Sequence, residues 1–121
     1  MSIRKVNIES KLSQFHDHWN PRIVGELNGQ LVKVVKLKGT FIWHKHADED
    51  ELFYILKGEL KVEFGDKTIS VRENEFLIVP KGIEHRSHAE HEVWAMIFEP
   101  ASTINTGDQR SKMTREHLER I

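Results

Sequence analysis

Gly39-Thr40-Phe41-Ile42-Trp43-His44-Lys45-His46-Ala47-Asp48-Glu49-Asp50-Glu51 is the stretch on which the reading of this chain turns, and it runs on through Leu52-Phe53-Tyr54-Ile55-Leu56-Lys57 to Gly58. Residues two apart on an extended strand face the same way. His44 and His46 therefore project together, and Trp43 and Lys45 project opposite them. A short acidic connection, 47–50, leads to an apolar run that opens on Glu51. A neighbouring strand starting there can set the Glu51 carboxylate opposite the two imidazoles. Downstream, Pro80-Lys81-Gly82 has proline and glycine where a type I turn takes them. His85 follows three residues after that glycine.

Working outward, residues 31–38, 40–46, 51–57, 59–64, 67–71, 76–79, 83–88 and 92–98 each read as a short strand. Between them stand Gly39, the 47–50 cluster, Gly58, Gly65-Asp66, Glu73-Asn74, Pro80-Lys81-Gly82 and 89–91. Short strands at this spacing, divided by turn residues, predict an all-β barrel or two-sheet sandwich. Ahead of them, Ile8, Leu12, Phe15 and Trp19 recur at helical spacing, which predicts a helix within 7–19 capped by Asn7 and ended before Pro21. Asn28-Gly29 is a hairpin-turn pair. Met113, His117, Leu118 and Ile121 suggest a last helix that docks back on the sheet.

Three imidazoles and a carboxylate suit Fe, Mn, Zn or Ni and suit Ca or Mg poorly. A His-x-His pair alone reads as readily as a solvated strand face in a chain with eight histidines. Glu51 at a strand onset, Gly58, and Pro-x-Gly-x-x-His in an all-β setting make it a metal-site pattern: His44, His46, Glu51 and His85. Asp50 is a rival to Glu51 as the carboxylate. Glu51 is preferred because it sets the six-residue interval to Gly58.

These residues resemble the two motifs of the cupin superfamily. The first, G-x5-H-x-H-x3,4-E-x6-G, is matched at His44, His46, Glu51 and Gly58, with Gly39 one residue nearer than the pattern. The second, G-x5-P-x-G-x2-H-x3-N, is matched at Pro80, Gly82 and His85. Asn74 stands in place of its glycine and Ala89 in place of its asparagine. The resemblance implies a jelly-roll (double-stranded β-helix) barrel over about 30–99 within a single 1–121 domain, with helical or polar extensions at 1–29 and 100–121. It further implies a divalent transition metal inside the barrel, held by the three histidines and the glutamate, and a homodimer. It says little about substrate, because one fold hosts many chemistries.

Strand parity puts Ile42, Phe53, Ile55 and Ser87 on the ligand-facing side, a mostly apolar wall. Arg86 alternates away from His85, so a phosphate-bearing ligand lacks its usual partner. His88 and His91 fall in a polar turn, and His16 and His18 on the polar side of the first helix. Trp43 and Tyr54 are candidates for a dimer interface.

The remaining composition narrows the function classes. The 121 residues contain no cysteine, which removes disulfides, thiolate metal sites, Fe–S clusters and cysteine nucleophiles. With 18 Lys and Arg against 19 Asp and Glu, there is no basic face for nucleic acid. The longest apolar runs, Leu52–Leu56 and Val93–Phe98, fall far short of a membrane span, and the first residues lack a signal-peptide core. The expectation is a cytoplasmic, metal-dependent enzyme of dioxygenase or isomerase type acting on a small oxygen-bearing molecule. The alternatives are a non-catalytic binding or sensing protein, and a metal that only braces the barrel.

Overall fold

The computed structural model describes residues 3–121. A short helix, α1 (Ile8–Leu12), precedes seven strands: β1 (Arg22–Leu27), β2 (Gln30–Thr40), β3 (Glu51–Lys57), β4 (Glu59–Glu63), β5 (Thr68–Arg72), β6 (Phe76–Val79) and β7 (Arg86–Pro100). The pairings are antiparallel. Strands run in the order β1-β2-β7-β3-β6, and the β4–β5 hairpin closes onto the first half of β7. The result is the all-β jelly-roll barrel expected, with its short N-terminal helix.

β7 carries the closure. Its second half lies between β2 and β3, while its first half pairs with the end of β2 and with β4. The predicted turn at 89–91 is absent. Ala89 is fully buried and pairs with Gly39, beside a register shift between Leu37 and Gly39. A bulge thus bends the ribbon without breaking it, and two expected strands merge into one. The predicted strand 40–46 does not form either. Pairing of β2 with β7 stops at Thr40 and His88, and beyond it His44 keeps one isolated bridge to His85. β1 is a strand that the expected set left out. It is joined to β2 through Asn28 (φ 50°) and Gly29 (φ 76°), the positive-φ pair of a tight hairpin turn.

The barrel interior is filled by Val35, Leu37, Phe53, Ile55, Leu60, Val62, Val71, Val79, Ala89, Val93, Ala95 and Ile97. Burial is worth about 1.5–3 kcal/mol for each large side chain, so this cluster dominates the favourable side of folding. A second cluster, Leu12, Phe15 and Val34, lies between α1 and the outer face of β2.

Both terminal extensions differ from expectation. α1 begins as predicted, with Asn7 Oδ1 accepting from the Ser10 N–H at 2.9 Å, but it stops at Leu12. Ser13 Oγ donates to the Ser10 carbonyl, and the Phe15 carbonyl accepts from Lys36 Nζ at 2.7 Å, so the chain turns inward there. His16 and His18 therefore follow the helix and do not lie on it. Residues 101–121 form turns and bends in place of a helix. Asn105 closes this segment by donating to the Met113 carbonyl and accepting from the Arg115 N–H. The tail does return to the sheet. Ile121 N–H donates to the Ile23 carbonyl at 3.1 Å, and Ile23 N–H donates to the Glu119 carbonyl at 2.9 Å. The unpaired edge of β1 offers backbone partners that an isolated short helix lacks. No helix of the described residues is long and apolar enough to cross a membrane.

Candidate metal centre

His44, His46, Glu51 and His85 converge inside the barrel, with one ligand-type atom from each lying within 4.8 Å of the others. All four are buried, His85 completely. Glu51 is the first residue of β3 and faces inward beside Val79 of β6. Its Oε1 lies 3.5 Å from His46 Nε2 and 3.7 Å from His85 Nε2. His85 reaches the group through the turn at Pro80–Gly82, and its backbone exchanges two bonds with His44, at 3.0 and 2.9 Å. Asn74, where the resemblance expects glycine, has φ 65°, a conformation that asparagine tolerates better than most residues.

Two imidazoles are aimed by their own backbone. His44 Nδ1 donates to the Ile42 carbonyl and His85 Nδ1 to the Ile83 carbonyl, each at 2.9 Å. A carbonyl only accepts, so Nδ1 carries the proton and Nε2 is left with a free lone pair. Burial pulls the His44 imidazole down to about 4, which keeps it neutral at neutral pH. Burial alone would raise the Glu51 carboxyl, but the Glu99, His46 and His85 side chains beside it hold it well below the usual range. Next to it, burial and the Glu51 charge push the Glu99 carboxyl well above its ordinary value. Two neighbouring carboxyls do not both ionise cheaply, and Glu51 keeps the charge.

The donor set fits a transition metal. His46 Nε2, Glu51 Oε1 and His85 Nε2 are buried with no hydrogen-bond partner among the described residues. Each such atom costs about 1–3 kcal/mol when left unsatisfied. One ion bound by all of them removes that cost, and nitrogen with carboxylate oxygen is the donor chemistry of Fe, Mn, Zn and Ni.

The centre opens on a small cavity of about 40 Å³, lined by Trp19, Val35, Leu37, Phe41, Phe53 and Ile97, with Ser87, Glu99 and Asn105 as polar members. Phe53 and Ser87 are among the residues that line it. Ile55 is packed in the barrel core. Ile42 is not among the lining residues, and Phe41 takes that role, because the chain leaves strand geometry after Thr40 and parity counted through it fails. Helical spacing predicts Trp19 on the first helix, which it does not join. It sits at φ 58° and stacks on Phe41 with ring centroids 4.8 Å apart. Nothing local in the sequence marks that role. Glu99 did carry a signal, since it and Lys33 are charged residues at inward positions of apolar strands. Lys33 Nζ donates to Glu99 Oε1 at 2.7 Å with both side chains buried.

The other singled-out residues lie elsewhere. Asp50 Oδ1 accepts from the Lys81 N–H at 2.9 Å. His88 pairs with Thr40 Oγ1 at 2.7 Å, and His18 with Glu92 at 2.8 Å. Trp43 lies under the Arg86 guanidinium, 4.9 Å from the ring centroid. Tyr54 donates its hydroxyl to Asn74 Oδ1 at 2.9 Å.

Comparison with known proteins agrees with this geometry. Residues 31–99 match the cupin domain family Cupin_2. A solved cupin-2 domain protein from Shewanella frigidimarina NCIMB 400 is 42% identical, covers 78% of this chain and 93% of its own, and superposes with a TM-score of 0.78. Protein NMB1881 from Neisseria meningitidis is 28% identical over 81% of this chain and 100% of its own, with a TM-score of 0.74. The curated relative YdbB of Bacillus subtilis (strain 168) is 40% identical over 67 residues, 54% of this chain. The match spans 59% of the length of that relative. The chain belongs to the cupin domain family.

Proposed function

From this family membership and this site, we propose that the protein is a metal-dependent enzyme acting on a small oxygen-bearing molecule. His44, His46, Glu51 and His85 would hold one divalent transition metal ion, Fe, Mn, Zn or Ni. The observation that carries the proposal is the set of buried, unpartnered donors at the end of an aromatic-walled cavity. When bound, such an ion supplies Lewis acidity and, for iron or manganese, redox chemistry to an oxygen ligand.

The protein's own residues do the rest. Trp19 and Phe41 form a stacked wall suited to a flat ligand, and Phe53, Leu37 and Ile97 keep water out. Ser87 and Glu99 are the polar groups that orient it. No Arg or Lys is among the lining residues, which favours an uncharged or carbonyl-bearing ligand over a phosphate ester.

We extend the reading to a homodimer. The outer face of the sheet carries two apolar rows across paired strands: Phe98, Leu52 and Ile78, then Met96, Tyr54 and Phe76. α1 covers the β2 end of this face, and Phe76 and Ile78 stay exposed. Residues 1–121 are read as one domain, placed in the cytoplasm.

The decisive experiment is elemental analysis of protein purified without an affinity tag, with identification of any small molecule released on denaturation. About one ion per chain is the expected result. With iron or manganese, oxygen uptake on small carbonyl and aromatic compounds follows. Ligand release without turnover would make the protein a binding or sensing cupin. No metal, and none taken up on titration, would end the metal-dependent reading.

A further inference from the structure

His44, Lys45 and His46 lie outside the strands, so their backbone groups need other partners. On one edge, His44 bonds to His85 in both directions, and the His46 carbonyl accepts from the Gly82 N–H at 2.7 Å. In an extended chain the intervening residue presents its N–H and carbonyl to the opposite edge. There Lys45 N–H donates to Asp108 Oδ1 at 3.1 Å, and the Lys45 carbonyl accepts from the Asp108 N–H at 3.0 Å. Asp108 fills the place of a neighbouring strand.

Gly107 brings the same loop against the ligands. It has φ 56°, and a Cβ there would lie 2.2 Å from the Lys45 carbonyl oxygen and 3.3 Å from His44 Cδ2. No side chain fits at that distance. The loop is held shut from behind by Asn105 across to Met113 and Arg115, and by Thr106 Oγ1 against Thr114 Oγ1 at 2.7 Å. Ser102 Oγ also donates to Glu49 Oε2 at 2.8 Å, tying the 47–50 connection to it. All of this lies beyond residue 99, where the match to the family ends.

We propose that Gly107 and Asp108 are positioning residues of the metal centre, a strap from the C-terminal extension that keeps 44–46 extended and both imidazoles aimed at one point. The inference rests on the metal-site reading above. Neither residue touches the ion. Each acts through the backbone of the residue between two ligands, and the Lys45 amide accordingly holds the Asp108 carboxyl below its ordinary range.

The test is Co(II) titration of the metal-free full-length protein, followed by visible d–d absorption, with unfolding temperature measured alongside. Asp108→Ala weakens Co(II) binding by about 10-fold or more, the range seen when outer partners of metal ligands are removed, and changes the band pattern. Asp108→Asn keeps the Oδ1 acceptor and returns affinity and bands close to those of the unsubstituted protein. Gly107→Ala weakens binding as well. Wild-type affinity and spectrum in Asp108→Ala overturn the proposal, as does a lowered unfolding temperature with an unchanged Co(II) spectrum. If the unsubstituted protein takes up no Co(II), the metal reading falls and the positioning role with it. If it binds and Asp108→Ala matches it, the positioning role falls alone.

Discussion

Asp50 and Glu51 are adjacent in the chain and turn to opposite tasks: Asp50 Oδ1 accepts from the Lys81 N–H at 2.9 Å, while Glu51 Oε1 sits 3.5 Å from His46 Nε2. The onset of β3 divides them. From Glu51 onward, pairing with β6 alternates residues in and out, and Asp50 is left to brace the turn that delivers His85.

Ligand substitutions should follow that division. Glu51→Ala and His85→Ala each weaken metal binding by more than the roughly 100-fold upper range of outer-shell changes. Asp50→Ala loosens the Pro80 turn and keeps most of the metal. Metal content after dialysis, read by elemental analysis, separates the two groups. Full metal content in both of the first two variants would refute the four-ligand set.

The stability of the metal-free protein should depend on pH through His44. Its imidazole takes a proton at about 4 in the fold against 6.5 ordinarily. Between those values the unfolded chain binds the extra proton, so stability from this source rises with pH from 4 to 6.5 and levels off above. Thermal unfolding across that range should show Tm dropping as pH is lowered, with a shallower drop in His44→Asn. Equal slopes would exclude His44 as the source.

Lys33 and Glu99 should behave as a pair. Glu99→Leu leaves the buried Lys33 Nζ without its hydrogen-bond acceptor, which costs about 1–3 kcal/mol. Lys33→Met combined with Glu99→Leu removes both polar groups and regains most of that loss. Urea unfolding of the single and double variants measures the difference. A double-variant loss equal to the sum of the Lys33→Met and Glu99→Leu losses would show that the two residues are energetically independent.

The exposed outer rows should set the oligomeric state. Light scattering is expected to give two chains per particle, and Phe76→Lys or Ile78→Lys to give one, with unchanged far-UV circular dichroism. These two side chains are 60% and 51% exposed in the single chain, so a charge there costs the monomer little. A monomeric unsubstituted protein would contradict the homodimer.

Much of the centre was legible from local pattern. His44, His46, Glu51 and His85 lie at intervals that name a fold as well as a site, and the hydrophobic alternation of β3 and β4 follows from period-two burial. The cavity was less so. Parity can be counted through to Phe53 and Ser87 because each belongs to a paired strand. Ile42 could not, because parity holds only while the strand does. Trp19, Phe41 and Asn105 come to the cavity from segments without regular structure, whose direction no spacing records.

The amino-acid order therefore carried what depends on short-range geometry: the turn residues, the alternation, the ligand types and their spacing. Three features depended on contacts distant in the chain. β7 runs unbroken because Gly39 lets β2 bend against Ala89. The tail returns to the sheet because the β1 edge offers its last residues partners through Ile23. Asp108 reaches Lys45 across 63 positions, and a bond of that span exists only once the barrel has brought its ends together.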